Sequence, residues 1–311
     1  MKAENSKKTI QKILPFLGLV CVIVLLEIGS GGDLLQVRNV STLVNEVFIL
    51  MIGSSAMVFL MAQGNLDLSM MANMAISCVF AVKAAHVLPI LALPVGVGIG
   101  VGIGLINGFI HAKCKIDSFI TTIGMSFVLT GLVIVALNNQ GSLPAPMEMI
   151  EWNSTELRIV ILIIIGALGF WLFEYSSFGK YCKAIGSCEE AARQSGINVS
   201  KVKILSFALA GGISGFLAFF SILRTGTATS SVPTNTMFNI LIAVLLGGVS
   251  ITGGSTSKFR AVFIGSLTMA FLSVGMTICG IDTTIQQLIR GAIFIGIVFA
   301  TYDRRGIAII K

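Results

Sequence analysis

Few residues in this sequence have the types and spacing that enzyme chemistry requires. His86 and His111 are its only histidines, and neither belongs to the His-Glu-x-x-His pattern of a zinc protease. The six cysteines are scattered, without a Cys-x-x-Cys pair or a histidine at metal-ligand spacing. The sequence also contains no Gly-x-x-x-x-Gly-Lys-Ser/Thr phosphate loop. We therefore expect a protein that is not an enzyme and that binds no metal or cofactor itself.

Polar residues within apolar stretches are stronger functional candidates, because burying them in a bilayer is costly. Asp67 lies in Gly64-Asn-Leu-Asp-Leu-Ser69, where it either caps the following helix or takes part in a transport path. A second glycine-rich stretch, Leu246-Gly-Gly-Val-Ser-Ile-Thr-Gly-Gly254, is similar to the first. For Asn107 and the threonine and glutamine positions, hydrogen bonding between helices is favoured over contact with a solute. The candidate path residues are Asn65, Asp67, Ser69, Asn107, Thr121, Thr122, Asn239, Gly247, Gly248, Ser250, Gly253, Gly254 and Gln286.

The composition of the chain indicates which elements carry these polar groups. Of its 311 residues, 55% are hydrophobic and 11% are charged, and the mean hydropathy is +0.95. Soluble domains contain about 25% charged residues, so this composition predicts an all-α polytopic membrane protein. The net charge of +7 arises from short basic clusters between apolar stretches. Such clusters are typical of cytoplasmic loops, and we expect no nucleic-acid partner.

About ten stretches approach the length that a membrane-spanning helix needs, about 17 to 25 residues. The stretch at 237–250 is short enough to be a partial or broken helix. The ten stretches lie at 13–26, 43–62, 68–86, 88–110, 118–137, 157–173, 204–223, 237–250, 259–279 and 285–302.

The loop charges predict the orientation of these spans. Basic residues occupy alternate loops, apart from isolated ones such as Arg38, Lys83 and Arg224, whereas the long loop at 138–156 holds three glutamates and no Lys or Arg. Cytoplasmic loops are enriched in Lys and Arg, so both termini are expected in the cytoplasm. We predict one transmembrane domain over 1–311, with cytoplasmic segments at 1–12, 174–203 and 303–311.

The polar stretch at 179–203 carries five Lys and Arg residues and two Glu residues. Within it, Ser187 and Glu190 have the spacing of a capping box, which satisfies N–H groups at a helix start. Gly196 can adopt the left-handed conformation that ends a helix. These signals predict a two-turn helix at about 188–195. Because so short a helix is marginal in water, we expect it to lie on a surface.

Glycines recur every fourth residue in the stretch at 88–110. Gly96, Gly100, Gly104 and Gly108 predict a face that packs closely against another helix, as small residues do in lipid. Gly98 and Gly102 lie roughly on the opposite face, which predicts a helix sandwiched between two others.

Residues 178–204 resemble the cytoplasmic coupling segment of ribose-type permeases, the membrane subunits of bacterial ABC sugar importers. The resemblance covers nearly all of the chain after the first span. Its further motifs are Asp67-Leu-Ser69, Gly104-Leu-Ile-Asn-Gly108, Phe119-Ile-Thr-Thr-Ile-Gly124, Leu246-Gly-Gly248 and Gly253-Gly254.

The resemblance implies a type II ABC importer-like permease in the bacterial cytoplasmic (inner) membrane. It also implies that the short helix docks into a cleft of an ATPase subunit, which binds ATP and Mg. The other implied partners are a solute-binding protein and a second permease, either the same chain or a paralogue. The residues of the implied coupling helix are Ser187, Glu189, Glu190, Ala191, Ala192, Arg193 and Gly196.

The implied function is passage of a monosaccharide or similar small polar solute. The alternative is an ion-coupled secondary transporter or channel, which needs ionisable groups deep in the membrane, and here the spans offer mainly Asp67. The sequence departs from the family pattern at Asn65 and Met71, which replace glycines, at Ser255-Thr-Ser257, and at Asn239, which replaces an acidic residue. These departures leave open which solute passes and whether two identical permeases pair.

Overall fold

The protein is described here from a computed structural model, in which residues 2–231 and 233–301 are described. The predicted cytoplasmic segment 303–311 lies outside these residues. Within them the chain is almost entirely helical, with a short 3-10 helix at Pro89–Leu91 and strands β1 (Ser142–Pro144) and β2 (Thr227–Thr229). The α-helices are α1 (Lys2–Gly29), α2 (Val37–Ala62), α3 (Met70–Ala85), α4 (Ala92–Cys114), α5 (Ser118–Ala136), α6 (Met147–Glu151), α7 (Thr155–Glu174), α8 (Ser177–Ser187), α9 (Glu189–Gln194), α10 (Val199–Thr225), α11 (Thr234–Leu246), α12 (Arg260–Ile278) and α13 (Thr283–Thr301).

Six of the helical segments are long and apolar enough to cross a membrane: α2, α4 with the preceding 3-10 turn, α5, α7, α10 and α12. Four shorter apolar helices lie at Pro15–Gly29, Met70–Ala85, Asn235–Leu246 and Thr283–Phe299. Each coincides with one of the predicted stretches, and the short stretch at 237–250 corresponds to the thirteen-residue α11. The protein is therefore a helical membrane protein, and for the four shorter helices a full crossing stays a prediction.

The centre of the bundle is α2. Residues 50–62 of this helix are all buried, because α7, α8, α10, α11 and α12 pack around it. By contrast, α5 and α7 expose most of their apolar side chains. An apolar surface of this kind suits contact with lipid chains or with another apolar helix.

The glycine face of α4 packs against α10, and the two helices run antiparallel. A β-carbon on Gly100 would overlap the carbonyl oxygen of Gly211, and one on Gly104 would overlap that of Phe207. Gly96 and Gly108 lie against Gly215 and Ile204 in the same register. Close backbone contact is what small residues permit where helices meet in lipid.

The opposite face of α4 differs from the sequence prediction. A β-carbon on Gly98 or Gly102 would meet nothing within 4 Å. The helix is therefore not sandwiched within this chain, because α3 and α10 both pack on the side that carries Gly96 and Gly100.

The two ends of α10 define two ends of the bundle, about 40 Å apart for 27 residues at 1.5 Å each. One end, called here the α9 end, holds α8 and α9. At the other, called the sheet end, β2 follows α10 and pairs antiparallel with β1, with Ser142 opposite Thr229. The loop predicted at 138–156 therefore contains β1 and α6, and it lies at the sheet end.

Candidate functional site

The polar stretch at 179–203 forms two helices before α10, where the sequence predicted one. The first is α8, which begins where the Ser176 hydroxyl accepts the N–H of Gly179 at 3.3 Å. Its buried residues are Gly179, Cys182 and Ile185, at three-residue spacing. This spacing places one face of α8 on the bundle, so the sequence analysis missed an amphipathic helix that supports α9.

The predicted capping box at the start of α9 does not form. Ser187 is the last residue of α8, and its hydroxyl donates to the carbonyl oxygen of Lys183 at 2.9 Å. Cys188 caps α9 instead, without a side-chain hydrogen bond. The end of α9 matches the prediction, since Gly196 has a φ of +84°. Its N–H donates to Arg193 and that of Ile197 to Ala192, which is a Schellman motif.

Only part of α9 faces outward. Glu190, Ala191 and Arg193 are exposed, whereas Ala192 is buried against the chain itself, so it cannot offer close approach to a partner. Glu189 fastens the helix to α10, because its carboxylate accepts from Lys203 at 2.8 Å and also pairs with Arg193 at 2.9 Å. The hydrogen bond from Lys203, with the nearby positive charges, lowers the pKa of Glu189.

The end of α8 contacts both glycine-rich stretches. A β-carbon on Gly186 would overlap the carbonyl oxygen of Ala62, and the hydroxyl of Ser187 accepts the N–H of Ser255 at 2.9 Å. The second stretch bonds to the last residue of α2, since the N–H of Gly254 donates to the carbonyl oxygen of Ala62 at 2.9 Å, and a β-carbon on Gly64 would lie 3.2 Å from the carbonyl oxygen of Thr252. The similarity seen in the sequence thus corresponds to two segments in direct contact, with α8 against them.

Two polar side chains strengthen this junction from inside the bundle. Gln63 donates to the hydroxyl of Ser206 at 2.5 Å and to the sulfur of Cys182 at 3.3 Å, which joins α2, α10 and α8. Glu174, at the end of α7, pairs with Lys183 at 2.5 Å and accepts the N–H of Phe259 at 2.7 Å. Neither residue was singled out from the sequence.

Three predicted path residues form a buried hydrogen-bonded chain at the α9 end. Asp67 accepts both the N–H and the hydroxyl of Ser69, at 2.8 and 2.6 Å. Asn107 donates to the same hydroxyl at 2.8 Å. All three residues are 1% exposed or less, and Ser69 directly precedes α3. The carboxylate of Asp67 thus bonds to the residue directly before α3 without itself capping the helix, and a role of Asp67 in a transport path stays a prediction.

The remaining predicted path residues do not form one site. Thr122 accepts the N–H of Leu68 at 3.1 Å, Thr121 donates to its own helix, and Ser250 bonds to Thr252. Gln286 is buried at the sheet end and donates to Thr277 at 3.3 Å. Asn65 and Asn239 are buried, and each has one side-chain amide atom without a partner among the described residues. Gly247 packs on the backbone of Ala261. Positive φ angles are found at Gly248, Gly253 and Gly254.

A cavity of about 220 Å³ opens among α2, α7 and α10 at the sheet end. Glu46, Arg158 and Arg224 line it, together with the rings of Phe48 and Phe220, whose centroids are 4.9 Å apart. Polar groups within an apolar wall are typical of sites that orient a small solute.

The sequence analysis missed this cavity. Glu46 and Arg290 both fall within predicted spans, so the statement that the spans offer mainly Asp67 as an ionisable group is wrong. A single charge inside an apolar run was the available signal. Arg224, which stands outside the predicted pattern of cytoplasmic basic residues, was a second signal.

The protein is thus a bundle of apolar helices with a polar helical attachment at one end and a charged cavity at the other, an architecture that suits a membrane transport protein. Residues 39–298 match the family described as the branched-chain amino acid transport system permease component, and the chain belongs to this family.

Proteins with similar sequences include permeases of sugar ABC transporters. The L-arabinose ABC transporter permease of Azospirillum brasilense is 31% identical over 88% of this chain and 82% of its own length. The ribose import permease of Bacillus subtilis is 30% identical over 92% and 91%. The ribose import permease of Escherichia coli K12 is 24% identical over 89% and 90%. No solved structure matches the sequence significantly.

Proposed function

We propose that this chain is the membrane subunit of an ATP-driven importer and that a monosaccharide passes through it. The observation that carries the proposal is similarity over nearly the whole length to permeases named for arabinose and ribose. These similarities favour an ABC importer over an ion-coupled transporter or channel. The family description alone, which refers to branched-chain amino acids, leaves the solute open.

ATP hydrolysis is assigned to a separate subunit that docks on α9. The sequence has no phosphate loop, so ATP and Mg are bound by the partner. The exposed side chains of α9, which are Glu190, Ala191, Arg193 and Gln194, offer a small surface with both charges. Beside it, a groove of about 250 Å³ between α8 and α10 is lined by Tyr181 and Lys201 among others, which extends the docking surface.

The α9 end is assigned to the cytoplasm of a bacterial cell and the sheet end to the exterior of its inner membrane. The α9 end holds Lys113 and Lys115 at the end of α4, the basic residues of α8, and Lys258 and Arg260 at the start of α12. Basic loop residues favour the cytoplasmic side. With this orientation ten helices cross the membrane and both termini are cytoplasmic.

The contacts of α8 supply a mechanical route from the partner to the bundle. Movement of α9 is passed through Gly186 and Ser187 to the segments that follow α2 and α11. A shift of these segments alters the packing of the central helices, as alternating access requires. The complete importer contains two permease subunits, two ATPase domains and a solute-binding protein outside.

Reconstitution tests the proposed function. The permease is co-expressed with a candidate ATPase subunit and a candidate solute-binding protein from the same organism, purified, and placed in liposomes loaded with ATP or with ADP. We expect uptake of at least one labelled monosaccharide, from a panel of L-arabinose, D-ribose, D-xylose, D-galacturonate and D-glucuronate, only with ATP and only with the ATPase present. Uptake by the permease alone would contradict the proposal.

A further inference from the structure

The cavity at the sheet end carries more positive than negative charge. Arg158 and Arg224 line it with one acidic residue, Glu46. A third guanidinium group, that of Arg290 on α13, is close enough to attract the Glu46 carboxylate, as is Arg224. Three cations thus stand near a single carboxylate.

The hydrogen bonds do not neutralise this excess. Arg158 is 5% exposed and donates to the amide oxygens of Asn45 and Asn153, which are uncharged. Arg290 donates to another amide oxygen at 3.0 Å, and its Nε has no partner among the described residues. Arg224 has no hydrogen bond or ion pair with any described residue. Arg158 is buried and Arg290 is half-buried, whereas Arg224 is exposed. Cations held away from bulk water are normally paired, so the excess positive charge around Arg158 favours a ligand that brings a negative charge.

The size and remaining lining of the cavity indicate what else this ligand carries. A volume of about 220 Å³ is below the roughly 300–1,000 Å³ of sites for drug-sized ligands. Phe48 and Phe220 provide an apolar face of the kind that packs on the C–H face of a sugar ring. Hydroxyl groups that can exchange hydrogen bonds with a polyol come from Ser221, Thr225 and Thr236.

From these observations we infer that the cavity is a solute-binding site on the exterior side, selective for a monosaccharide that carries a carboxylate. Arg224 binds the carboxylate, because it is the lining cation that makes no hydrogen bond or ion pair with a described residue. Arg158 is fixed by its two amide partners and supplies charge from a constant position. The inference deepens the proposed function and rests on it for the path by which the solute leaves.

Matched ligands and an internal fluorophore allow a direct test of binding. The sequence has two tryptophans, and Trp152 directly precedes Asn153, the partner of Arg158. Replacing the exposed Trp171 by phenylalanine leaves Trp152 as the only reporter. The purified permease is titrated with D-galacturonate and D-galactose, and with D-glucuronate and D-glucose. Each acid differs from its sugar only by the carboxylate at the sixth carbon.

We expect at least one acid to bind about tenfold or more tightly than its neutral sugar, the range for a hydrogen bond to a charged group. Arg224→Gln should remove this preference, and the variant should fold normally because Arg224 is exposed and makes no hydrogen bond or ion pair with a described residue. Arg38→Gln is the matched control, since Arg38 is exposed and pairs with Asp33 outside the cavity. A melting temperature equal to that of the parent protein verifies the folding of each variant.

Equal binding of acid and sugar, no binding of either acid, or a preference that survives Arg224→Gln would overturn the inference. Acetate that binds as tightly as the acids would also overturn it, because the sugar ring would then play no part. ATP-driven uptake by the reconstituted importer is measured in parallel. Uptake of neutral sugars without an acid preference in binding overturns the inference alone, whereas uptake without ATPase overturns the proposed function alone.

Discussion

Gly186 lies directly against the carbonyl oxygen of Ala62, so closely that a β-carbon at position 186 would overlap that oxygen. The same β-carbon would be 2.7 Å from the N–H nitrogen of Gly254. The end of α8 therefore occupies a space bounded by backbone on two sides, and backbone atoms cannot rotate away as a side chain can. Any residue larger than glycine must displace α8 or the segments that it contacts.

Gly186→Ala is expected to destabilise the junction by about 1–3 kcal/mol, the range for overpacking a close contact. The variant should bind the ATPase yet show reduced ATP-driven uptake, because α8 no longer seats on both glycine-rich stretches. Thermal unfolding in detergent and uptake in liposomes measure the two effects. Gly98→Ala, on the open face of α4, is the control and should resemble the parent protein.

Gly104→Leu is expected to prevent normal packing of α4 against α10. Its side chain would overlap the backbone at Phe207, so we expect a loss of about 3 kcal/mol or more and low accumulation in the membrane. Quantitative immunoblotting of membranes measures this. Gly102→Leu has open space and should accumulate normally. Equal accumulation of both variants would show that this helix contact is dispensable.

Substitutions on the exposed face of α9 are expected to affect binding of the ATPase without affecting the stability of the fold. Glu190→Lys and Ala191→Trp should abolish co-purification of the ATPase while leaving the melting temperature unchanged, since both side chains are exposed. Ala192→Trp should lower the melting temperature, because Ala192 is 4% exposed and packs inward. Full complex assembly by both surface variants would contradict the assignment of α9 as the docking helix.

The attachment of α9 should weaken in acid. Because Lys203 lowers the pKa of Glu189, the folded state binds the proton more weakly than the unfolded state. The stabilisation is therefore complete above the unfolded pKa of about 4.3 and is lost as pH falls through the lower folded value.

Hydrogen exchange of residues 189–195, corrected for intrinsic rates, measures this attachment. Glu189→Gln should reduce protection about two- to fivefold at pH 7, as expected for an exposed ion pair, and should remove the acid dependence. Glu190→Gln is the control, because Glu190 pairs only with Arg193, at 3.3 Å. An acid dependence that persists in Glu189→Gln would assign it to another group.

Asp67 is expected to act as a hydrogen-bond acceptor and not as a proton carrier. Asp67→Asn keeps an oxygen that can accept both bonds from Ser69, so uptake should be largely retained. Asp67→Ala removes the acceptor and should cost about 1.5–3 kcal/mol of stability for each bond lost. Abolished uptake in a well-folded Asp67→Asn variant would favour the other reading, a role in the path.

The elements that depend on local sequence were predictable. Apolar runs predicted the positions of the membrane helices. The four-residue spacing from Gly96 to Gly108 predicted the face of α4 that packs closely, and Gly196 predicted the end of α9. Ser187 misled the prediction because its hydroxyl bonds backward to Lys183 and across to Ser255, a partner 68 residues away. A capping pattern in the sequence indicates one possible hydrogen-bond partner of a hydroxyl group, whereas the folded chain can offer others.

The cavity could not be assembled from sequence alone. Its charged residues come from α2, α7 and α10, and none lies near another in the chain. Glu46 stands alone in an apolar run, where hydropathy averaging conceals it, and Arg158 follows a loop at the start of α7. Only the packing of the three helices shows that these residues share one space.

The bond from Gly254 to Ala62 also sets the order in which this protein can be completed during synthesis. When the ribosome has made α8 and α9, Ala62 has already been made, but Gly254 and Ser255, which also contact the end of α8, have not. The segment formed by α8 and α9 therefore reaches its final shape only after residue 255 has emerged. A chain interrupted before that point lacks the backbone of Gly254 and the N–H of Ser255, so the end of α8 is without half of its contacts.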